Sequence, residues 1–347
     1  MKKNEKKILF LVSVGGYSGA ENITLIICDG LIKKGYEIAY CSPNGPIRDI
    51  IKKNKYNINY LQLKSFNYTN IKRTIKLYNP DIVYAVDFKS SVYASIMGKK
   101  YVCHLHNNPN WLKTMNFNSI VLMYAMRNSI VNICVSDSVQ NEYIFSNKIK
   151  ANTKIINNVV DCDKIKKLSE ENVNKSYDIG IVGRICEQKD PIRFLNIINQ
   201  YNKKYHNIKA VMIGADGGLL EKCKKLIELY DIDVDIVGFQ SNPYKYINAC
   251  KIILMPSKWE GFGLTAVESM SIGKPVLGSP VGGLKDVLNN IYLLCEKDDD
   301  YCLRINTLLT NNDKYKKYSD YCTKQAEKFS NTTEYVEIIE KEMMEIG

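Results

Sequence analysis

The segment with the strongest chemical signal, residues 256–270, carries two glutamates separated by seven residues. Glu260 lies in a loop with Gly261 and Gly263, and Glu268 lies about one turn into the helix that we predict to follow. Glycines let a backbone come close to a ligand, and the first N–H groups of a helix attract anions. Two carboxylates at this spacing are suited to hold two hydroxyl-rich groups, such as the sugar and the ribose of a nucleotide sugar.

A pair of cations follows the first strand of the second half of the chain. Arg184 comes directly after the apolar run 179–183, and Lys189 precedes Asp190 and Pro191. An Asp-Pro pair is typical of the N-cap and the first position of a helix. Two cations beside a helix start are suited to neutralise a diphosphate. Two solvated surface cations are the alternative interpretation.

Glycines and histidines follow two strands of the first half. Gly16 and Gly19 lie between the first strand and the first helix, where free N–H groups favour an anion. The spacing is not G-x-G-x-x-G, so a dinucleotide site has little support, and a tight turn without a ligand is the alternative. His104 and His106 share one face of a later strand, where a histidine can handle a proton near neutral pH. A core histidine is the alternative, and it is favoured for His104.

The elements that must position these residues form two series of buried strands alternating with helices. The predicted strands are 8–14, 38–41, 59–63, 82–86, 101–105 and 130–135, then 179–183, 210–213, 234–237, 252–255 and 275–277. Continuous apolar strands between helices predict parallel sheets covered on both faces. Ligands bind beyond the carboxyl ends of such strands. We therefore predict an α/β protein with two doubly wound Rossmann-like domains that face a central cleft, and we interpret the polar stretch 161–176 as their linker region.

Composition narrows the class of protein. The 347 residues correspond to about two domains at roughly 150 residues each. The net charge of +11 divides into +12 over residues 1–164 and −1 over the rest, which indicates an acidic partner or a lysine-rich background. Eleven scattered cysteines without a C-x-x-C indicate reduced thiols and a cytoplasmic protein. Three histidines argue against a zinc site, and we find no run that predicts a membrane span.

The second half resembles the retaining glycosyltransferases of the GT-B fold, family four. That family carries E-x7-E in an E-G-F-G-L-x-x-x-E setting and then A-M-A-x-G-x-P-V, which residues 260–268 and 271–276 match. Residues 183–190 match its G-R-x-x-x-x-K-(D/G), and residues 281–283 match the following V-G-G turn. The match covers almost all of the second half.

The first half resembles the family only at its loops. Residues 19–21 match a G-A-E after the first strand, but Ser18 departs from the common Gly-Gly-Ala-Glu. Residues 158–161 resemble N-P-V-D, with Val159 in place of proline. Such divergence is expected of a variable acceptor site.

The resemblance implies a nucleotide-sugar site in the second half. Arg184 and Lys189 would hold the diphosphate and offset charge on the leaving group. Glu268 would bind the ribose and Glu260 the hydroxyls of the sugar. The implied donor-binding residues are Gly16, Gly19, Arg184, Lys189, Phe239, Glu260, Gly261, Phe262, Gly263, Leu264, Thr265 and Glu268. The implied catalytic residues are Glu260, His106, Arg184 and Lys189, of which His106 would line the acceptor side and contact the transferred sugar.

The resemblance also implies domain roles and a mechanism. Residues 1–164 would bind the acceptor, residues 165–330 would bind the donor, and a terminal helix in 331–347 would pack on the first domain. The acceptor hydroxyl would attack the front face of the sugar, and an oxygen of the β-phosphate would take its proton. We predict that no metal or other cofactor is required, and we interpret the D-x-D at 161–163 as a coincidence.

The expected function is a hexosyltransferase of surface polysaccharide biosynthesis, with a UDP-sugar donor and a saccharide or lipid-linked acceptor. A nucleotide-sugar 2-epimerase on the same fold and a nonenzymatic nucleotide-sugar binding protein are the alternatives. Nucleic-acid recognition has no motif here. The basic first half and the aromatic segment 111–127 suggest contact with an anionic membrane, at the inner face of the plasma membrane. A buried helix is the competing interpretation of that segment.

Overall fold

The computed structural model describes residues 6–344, which divide into two compact units. The first unit runs up to Val159 and takes in Thr332 onward, and the second unit is Val160–Asn331. The division therefore falls five residues before the boundary of 164/165 expected from the sequence. Within residues 6–344, no helix is both long and apolar enough to cross a membrane.

The first unit is built on a parallel sheet with the strand order β3-β2-β1-β4-β5-β6-β7. Its strands are β1 (Lys7–Leu11), β2 (Glu37–Pro43), β3 (Asn59–Leu63), β4 (Ile82–Ala85), β5 (Lys100–Leu105), β6 (Asn132–Cys134) and β7 (Thr153–Ile155). Its helices are α1 (Gly19–Lys33), α2 (Pro46–Lys53), α3 (Tyr68–Tyr78), α4 (Phe88–Ser95), α5 (Phe117–Arg127), α6 (Asp137–Asn141), α7 (Ser146–Ile149) and the terminal α16 (Thr332–Met344), with 3₁₀ turns at Asn110–Lys113 and Lys150–Asn152. The central strands β1 and β4 are almost wholly buried, as their continuous apolar sequence requires.

The second unit is built on a parallel sheet with the strand order β10-β9-β8-β11-β12. Its strands are β8 (Tyr177–Val182), β9 (Ala210–Ile213), β10 (Val234–Gly238), β11 (Cys250–Met255) and β12 (Val276–Gly278). Its helices are α8 (Cys162–Ser169), α9 (Pro191–Lys204), α10 (Leu220–Tyr230), α11 (Tyr244–Ala249), α12 (Leu264–Ser271), α13 (Leu284–Leu288), α14 (Asp298–Thr310) and α15 (Asn312–Glu327). Both sheets are doubly wound, so the prediction of two Rossmann-like α/β domains is confirmed.

The linker interpretation of residues 161–176 is wrong for its first half, which forms helix α8. Ile165 on this helix is buried. The carbonyl groups of Leu168 and Ser169 accept hydrogen bonds from the side chains of Asn242 and Asn248, at 2.8 and 3.0 Å. A helix end buried against protein needs such partners. The lysines of α8 dominate its composition, so the sequence does not reveal its two buried positions, Ile165 and Ser169.

The terminal helix α16 packs on α1 within the first unit. Gly30 makes the approach close, because a Cβ atom at this position would lie 2.5 Å from Cγ2 of Val336. At the same contact, Glu340 pairs with Lys34 at 2.7 Å and accepts a hydrogen bond from the hydroxyl of Tyr36 at 2.8 Å. The helix predicted to return to the first domain is therefore seated on that domain.

Candidate active site

The topology of each sheet marks where a ligand would bind. In the first unit, β1 lies between β2 and β4, and in the second unit, β8 lies between β9 and β11. The chain connections leave these central strands in opposite directions, so a crevice opens at their carboxyl ends, where ligands of such folds bind. Arg184 follows β8 and Glu260 follows β11, so the second unit brings these two predicted residues to one switch point.

Glu260 is held by two side chains although it is only 5% exposed. The ammonium nitrogen of Lys189 lies 2.6 Å from Oε1 of Glu260. The hydroxyl of Ser257 donates to the same oxygen at 2.7 Å. A carboxylate removed from water is tolerated when it is both paired and hydrogen-bonded. These contacts fix one carboxylate oxygen and leave Oε2 for another donor.

The backbone of Glu260 is fixed by the glycine turn that follows β12. The N–H of Gly283 donates to the carbonyl oxygen of Glu260 at 3.2 Å. Gly282 has φ +50°, and a Cβ atom at this position would collide with that same carbonyl oxygen. Only glycine meets both requirements at low cost. The V-G-G motif at 281–283 thus has a structural role, since its glycines hold the backbone of the loop that carries Glu260.

The two predicted cations differ in their surroundings. Gly183 has φ +142°, and a Cβ atom there would lie 2.9 Å from Cε of Lys189, so the lysine stem crosses the bare face of the glycine. Arg184 is exposed, and its guanidinium forms no ion pair with the residues that the structure describes. The switch point therefore offers one cation held by Glu260 and one free to meet an anion.

Glu268 lies on α12 and is partly exposed. The hydroxyl of Tyr244 donates to its Oε1 at 3.2 Å. Burial raises the pKa of Glu268, and the Tyr244 hydrogen bond together with the charge of Lys189 opposes this shift. Helix α12 starts after Gly263, which has φ +102° and provides no side-chain cap. The N–H groups of Leu264 and Thr265 thus remain for a ligand, whereas that of Ala266 donates to the carbonyl oxygen of Gly263 at 2.8 Å.

In the first unit, the glycines after β1 have separate tasks. A Cβ atom at Gly15 would contact the carbonyl oxygen of Asn44, so this glycine permits close backbone packing. A Cβ atom at Gly16 would meet nothing within 4 Å, so this position borders open space. Gly19 is the first residue of α1. The structure therefore leaves the bare face of Gly16 open and uses Gly15 for the fold.

Two carboxylates anchor the loop that contains these glycines. Oδ2 of Asp87 accepts the N–H of Ser13 at 2.8 Å. The hydroxyl of Ser18 donates to Oε2 of Glu21 at 2.6 Å. Burial raises the pKa of Glu21, which is 5% exposed. These hydrogen bonds hold both ends of the loop, so the loop would lose less conformational entropy when a ligand binds.

His106 follows β5 and has no polar partner among the described residues. Its ring lies against that of His104, with centroids 3.9 Å apart and the planes tilted by 35°. Nδ1 of His104 lies 2.9 Å from the hydroxyl of Tyr84. Burial lowers the pKa of His106 to about 3 and that of His104 well below its usual value. At neutral pH both rings are uncharged, so His106 offers one donor and one acceptor. His104 lies in the core, as the alternative interpretation expected.

Two predicted aromatic residues have opposite surroundings. The ring of Phe262 is 3% exposed and packs edge-on against Phe329, with centroids 5.3 Å apart. The ring is thus covered by protein, so a contact of Phe262 with the donor would have to come from its backbone. Phe239 is 53% exposed beside Gly238, which has φ +68°, so its ring is free to stack.

Sequence reasoning missed Ser257 and Tyr244, which contact the two glutamates. Ser257 lies three residues before Glu260, and this spacing is the one available signal. Tyr244 lies on α11, and nothing local connects it to Glu268 on α12.

No group of three or more potential metal-binding side chains occurs in the part of the chain that the structure describes. The D-x-D at 161–163 begins helix α8, and Asp161 accepts the N–H of Lys164 at 2.9 Å as its N-cap. A capping role explains this aspartate without a metal.

Comparison with known proteins adds family models and relatives. A model described as Glycosyltransferase Family 4 matches residues 17–164, and one described as Glycosyl transferases group 1 matches residues 163–327. The uncharacterized glycosyltransferase MJ1059 of Methanocaldococcus jannaschii is 26% identical over 241 residues, 60% of this chain and 59% of that protein. The O-antigen biosynthesis glycosyltransferase WclY of Escherichia coli is 30% identical over 181 residues, 49% of this chain and 46% of that protein. The chain thus matches about half of the length of these two relatives.

The crystal structure of Anabaena HepE in complex with UDP-glucose shares the fold. It superposes with a TM-score of 0.83 at 20% identity, covering 96% of this chain and 98% of that one. This likeness and the two parallel-sheet units identify the fold as GT-B. The two family matches meet at residues 163–164 and together span 17–327, so the chain belongs to the group 1 glycosyltransferase family.

Proposed function

We propose that the chain is a retaining glycosyltransferase that moves a hexose from a UDP-sugar to a saccharide or lipid-linked acceptor in surface polysaccharide biosynthesis. The role of WclY in O-antigen biosynthesis and the UDP-glucose bound to HepE support the pathway and the donor. The observation that carries the proposal is the Lys189–Glu260 pair beside the unpaired Arg184. A carboxylate for sugar hydroxyls thus adjoins two cations for a diphosphate.

The second unit would bind the donor. Arg184 and Lys189 contact the diphosphate, and the ammonium group of Lys189 has two further N–H donors beyond the one directed at Glu260. The first N–H groups of α12, from Leu264 and Thr265, contact phosphate or sugar. Glu268 accepts from the ribose hydroxyls. In the same site Gly261 and Gly263 keep the loop backbone bare, and Phe239 stacks on the base.

The first unit would bind the acceptor, and its Gly16 and Gly19 would contribute bare backbone to diphosphate binding. The neutral imidazole of His106 would line the acceptor side, with one ring nitrogen for the sugar that is transferred and the other for an acceptor hydroxyl. A neutral ring suits a hydroxyl group, because it donates and accepts without adding charge near the developing oxocarbenium ion.

The chemistry would exchange one bond at the anomeric carbon for another. The acceptor hydroxyl oxygen forms a bond to C1 on the face from which the phosphate leaves. The C1–O bond to the β-phosphate breaks, and a β-phosphate oxygen takes the hydroxyl proton, which leaves UDP. Arg184 and Lys189 stabilise the charge on the leaving diphosphate. Glu260 is already engaged by Lys189 and Ser257, so it positions the sugar and does not attack it.

Product analysis tests this proposal. UDP-glucose, UDP-galactose and UDP-N-acetylglucosamine are each incubated with the protein and a panel of aryl glycosides, and products are read by proton NMR. We expect an α-linked product from one α-configured donor, loss of at least about 100-fold in rate with Arg184→Ala, and full activity in EDTA. A β-linked product would refute retention, and an epimerised nucleotide sugar would indicate the 2-epimerase. Loss of activity in EDTA, restored by one divalent ion, would refute metal independence.

We also propose that the protein works at an anionic membrane surface on the cytoplasmic side. The sequence has five basic residues and no acidic residue from 88 to 136. In this stretch Met115 and Phe117 are 72% and 79% exposed, and Tyr124 is 59% exposed. Exposed apolar groups on a basic surface suit an anionic bilayer. Flotation with vesicles of 30% phosphatidylglycerol should carry the protein, and Phe117→Ser should release it. Equal flotation with neutral vesicles would contradict the charge argument.

A further inference from the structure

Buried polar atoms without partners are concentrated at the carboxyl end of β5. They are Nε2 of His104, Nδ1 and Nε2 of His106, and Oδ1 of Asn108. Buried polar atoms are nearly always hydrogen-bonded to protein, to ordered water or to a ligand. Four such atoms within five consecutive residues therefore mark a place where polar groups are supplied from outside the described chain.

The amide of Asn108 is locked in one orientation. Asn108 is 1% exposed, and its Nδ2 donates to Oε2 of Glu142 at 2.8 Å. The same carboxylate oxygen lies 2.8 Å from the ammonium nitrogen of Lys113. A carboxylate accepts only, so the NH₂ group must face it. Oδ1 of Asn108 is thereby committed to accept a hydrogen bond, and no described group donates to it.

The ring of His106 is held by packing. It lies against the ring of His104 at a tilt of 35°. The ring of His104 is in turn held by the hydrogen bond between its Nδ1 and the hydroxyl of Tyr84. Both rings are neutral, so His106 presents one N–H and one bare nitrogen. Together with Oδ1 of Asn108, the set contains two acceptors and one donor and no charge. This is the pattern that a sugar with adjacent hydroxyl groups satisfies, and it carries no positive charge that would favour an anion.

We propose that Asn108 and His106 form a hydroxyl-binding subsite in the first unit that selects the saccharide acceptor. Asn108 accepts a hydrogen bond from an acceptor hydroxyl, and Glu142 with Lys113 sets the polarity of the amide. This inference rests on the proposed function and deepens it, because the sequence assigned a sugar contact to His106 alone. A sugar lacking that hydroxyl leaves Oδ1 unpaired and buried, which is the strongest basis for discrimination at a polar site.

The test uses the full chain without nucleotide. Methyl glycosides of glucose, galactose, mannose and N-acetylglucosamine are titrated into protein labelled with ¹⁵N in its histidines. We expect at least one glycoside to shift the ring nitrogens of His106, and Asn108→Ala to weaken its binding by about tenfold or more. Asn118→Ala, which removes an exposed amide from α5 of the same unit, should leave the affinity unchanged. No response to any glycoside, or equal affinity in Asn108→Ala, would mean that the atoms bind only water and would overturn the proposal.

A second variant separates the amide's polarity from its packing. Glu142→Gln offers its own NH₂ group, so the amide of Asn108 is free to turn and present Nδ2 instead. We expect weaker binding of the responsive glycoside with unchanged thermal unfolding. If Asn108→Ala fails to fold, Asn108→Ser replaces it, since serine keeps a polar group at this position. Unchanged binding in Glu142→Gln would contradict the polarity argument.

Titration of UDP into the same samples tests the acceptor subsite and the proposed transferase function separately. UDP binding without a glycoside response would refute the subsite and leave the transferase proposal standing. A glycoside response lost in Asn108→Ala, without binding of UDP, would support the subsite and refute the proposed function.

Discussion

Replacing Lys189 by methionine tests the ion pair at the centre of the site. Methionine keeps most of the length of the side chain and removes its charge. In the native unit, Lys189 and Glu260 have side-chain exposures of only 18% and 6%, so the lysine is the main counterion of a desolvated carboxylate. Lys189→Met leaves that carboxylate with the hydrogen bond from Ser257 alone.

The expected loss of stability follows from that burial. Removing one partner of a buried ion pair costs about 3–5 kcal/mol, and the remaining Ser257 bond favours the lower end. For a unit of the size of Val160–Asn331, each 1 kcal/mol lowers Tm by about 2–4 °C. A loss of about 3 kcal/mol therefore predicts a fall in Tm of about 6–12 °C for the second unit, measured by calorimetry.

The chain contains a matched control. Lys258 pairs with Glu187 at 3.2 Å between the same two loops and over the same sequence separation of 71 residues. Its side chains are 46% and 72% exposed. An exposed pair contributes little, so Lys258→Met should cost less than about 1 kcal/mol.

A double-mutant cycle completes the test. Lys189→Met with Glu260→Gln removes both charges. The loss of stability in the double variant should therefore be about 2 kcal/mol smaller than the sum of the losses in the two single variants. Additive losses, or a loss in Lys189→Met no greater than that in Lys258→Met, would refute the idea that Lys189 compensates a desolvated Glu260.

Three further outcomes follow from contacts already described. Gly282→Ala should destabilise the protein by about 2 kcal/mol more than Gly98→Ala in urea unfolding. Both glycines have positive φ, but a Cβ atom at Gly282 would collide with a carbonyl oxygen, whereas one at Gly98 would border open space. Equal losses in the two variants would contradict this expectation. Tyr244→Phe should raise the pKa of Glu268 further and weaken UDP-sugar binding by about fivefold, measured by calorimetric titration, since it removes the bond that favours the carboxylate. His106 binds a proton in the unfolded chain below pH 6.5 but in the folded unit only near pH 3, so its contribution to stability is full above pH 6.5 and falls as the pH is lowered. Urea midpoints between pH 7 and 4.5 should therefore fall less in His106→Asn than in the native protein, and parallel curves would refute the assignment.

Local chemistry explains what the sequence could predict. Asp190 and Pro191 were expected to start a helix, and the structure confirms this, with Asp190 accepting the N–H of Arg193 at 3.2 Å and Pro191 first in α9. Gly35, which follows the C-cap of α1, has φ +93°, a conformation that favours glycine. Caps of this kind are decided by residues a few positions apart, so they are visible in a single sequence.

Contacts between distant segments explain what it could not. Short strand β7 has two exposed residues among three and carries no strand pattern. The partner of Glu260 is Lys189, 71 positions away, and that of Glu268 is Tyr244 on another helix. The orientation of the Asn108 amide depends on Glu142, 34 positions on. Side-chain partners of this kind are set by how the elements pack, which periodicity and local motifs do not specify.

Calorimetric titration of UDP into the native protein and into Arg184→Ala is the most direct test of a donor site in the second unit. Arg184 is exposed and unpaired among the described residues, so its removal should leave unfolding unchanged and act only on ligand binding. We expect one UDP site per chain and an affinity at least about tenfold lower in the variant, since a charge-assisted contact to phosphate contributes roughly 1.5–3 kcal/mol. Absence of UDP binding, or equal affinity in Arg184→Ala, would contradict the assignment of the second unit as the donor site.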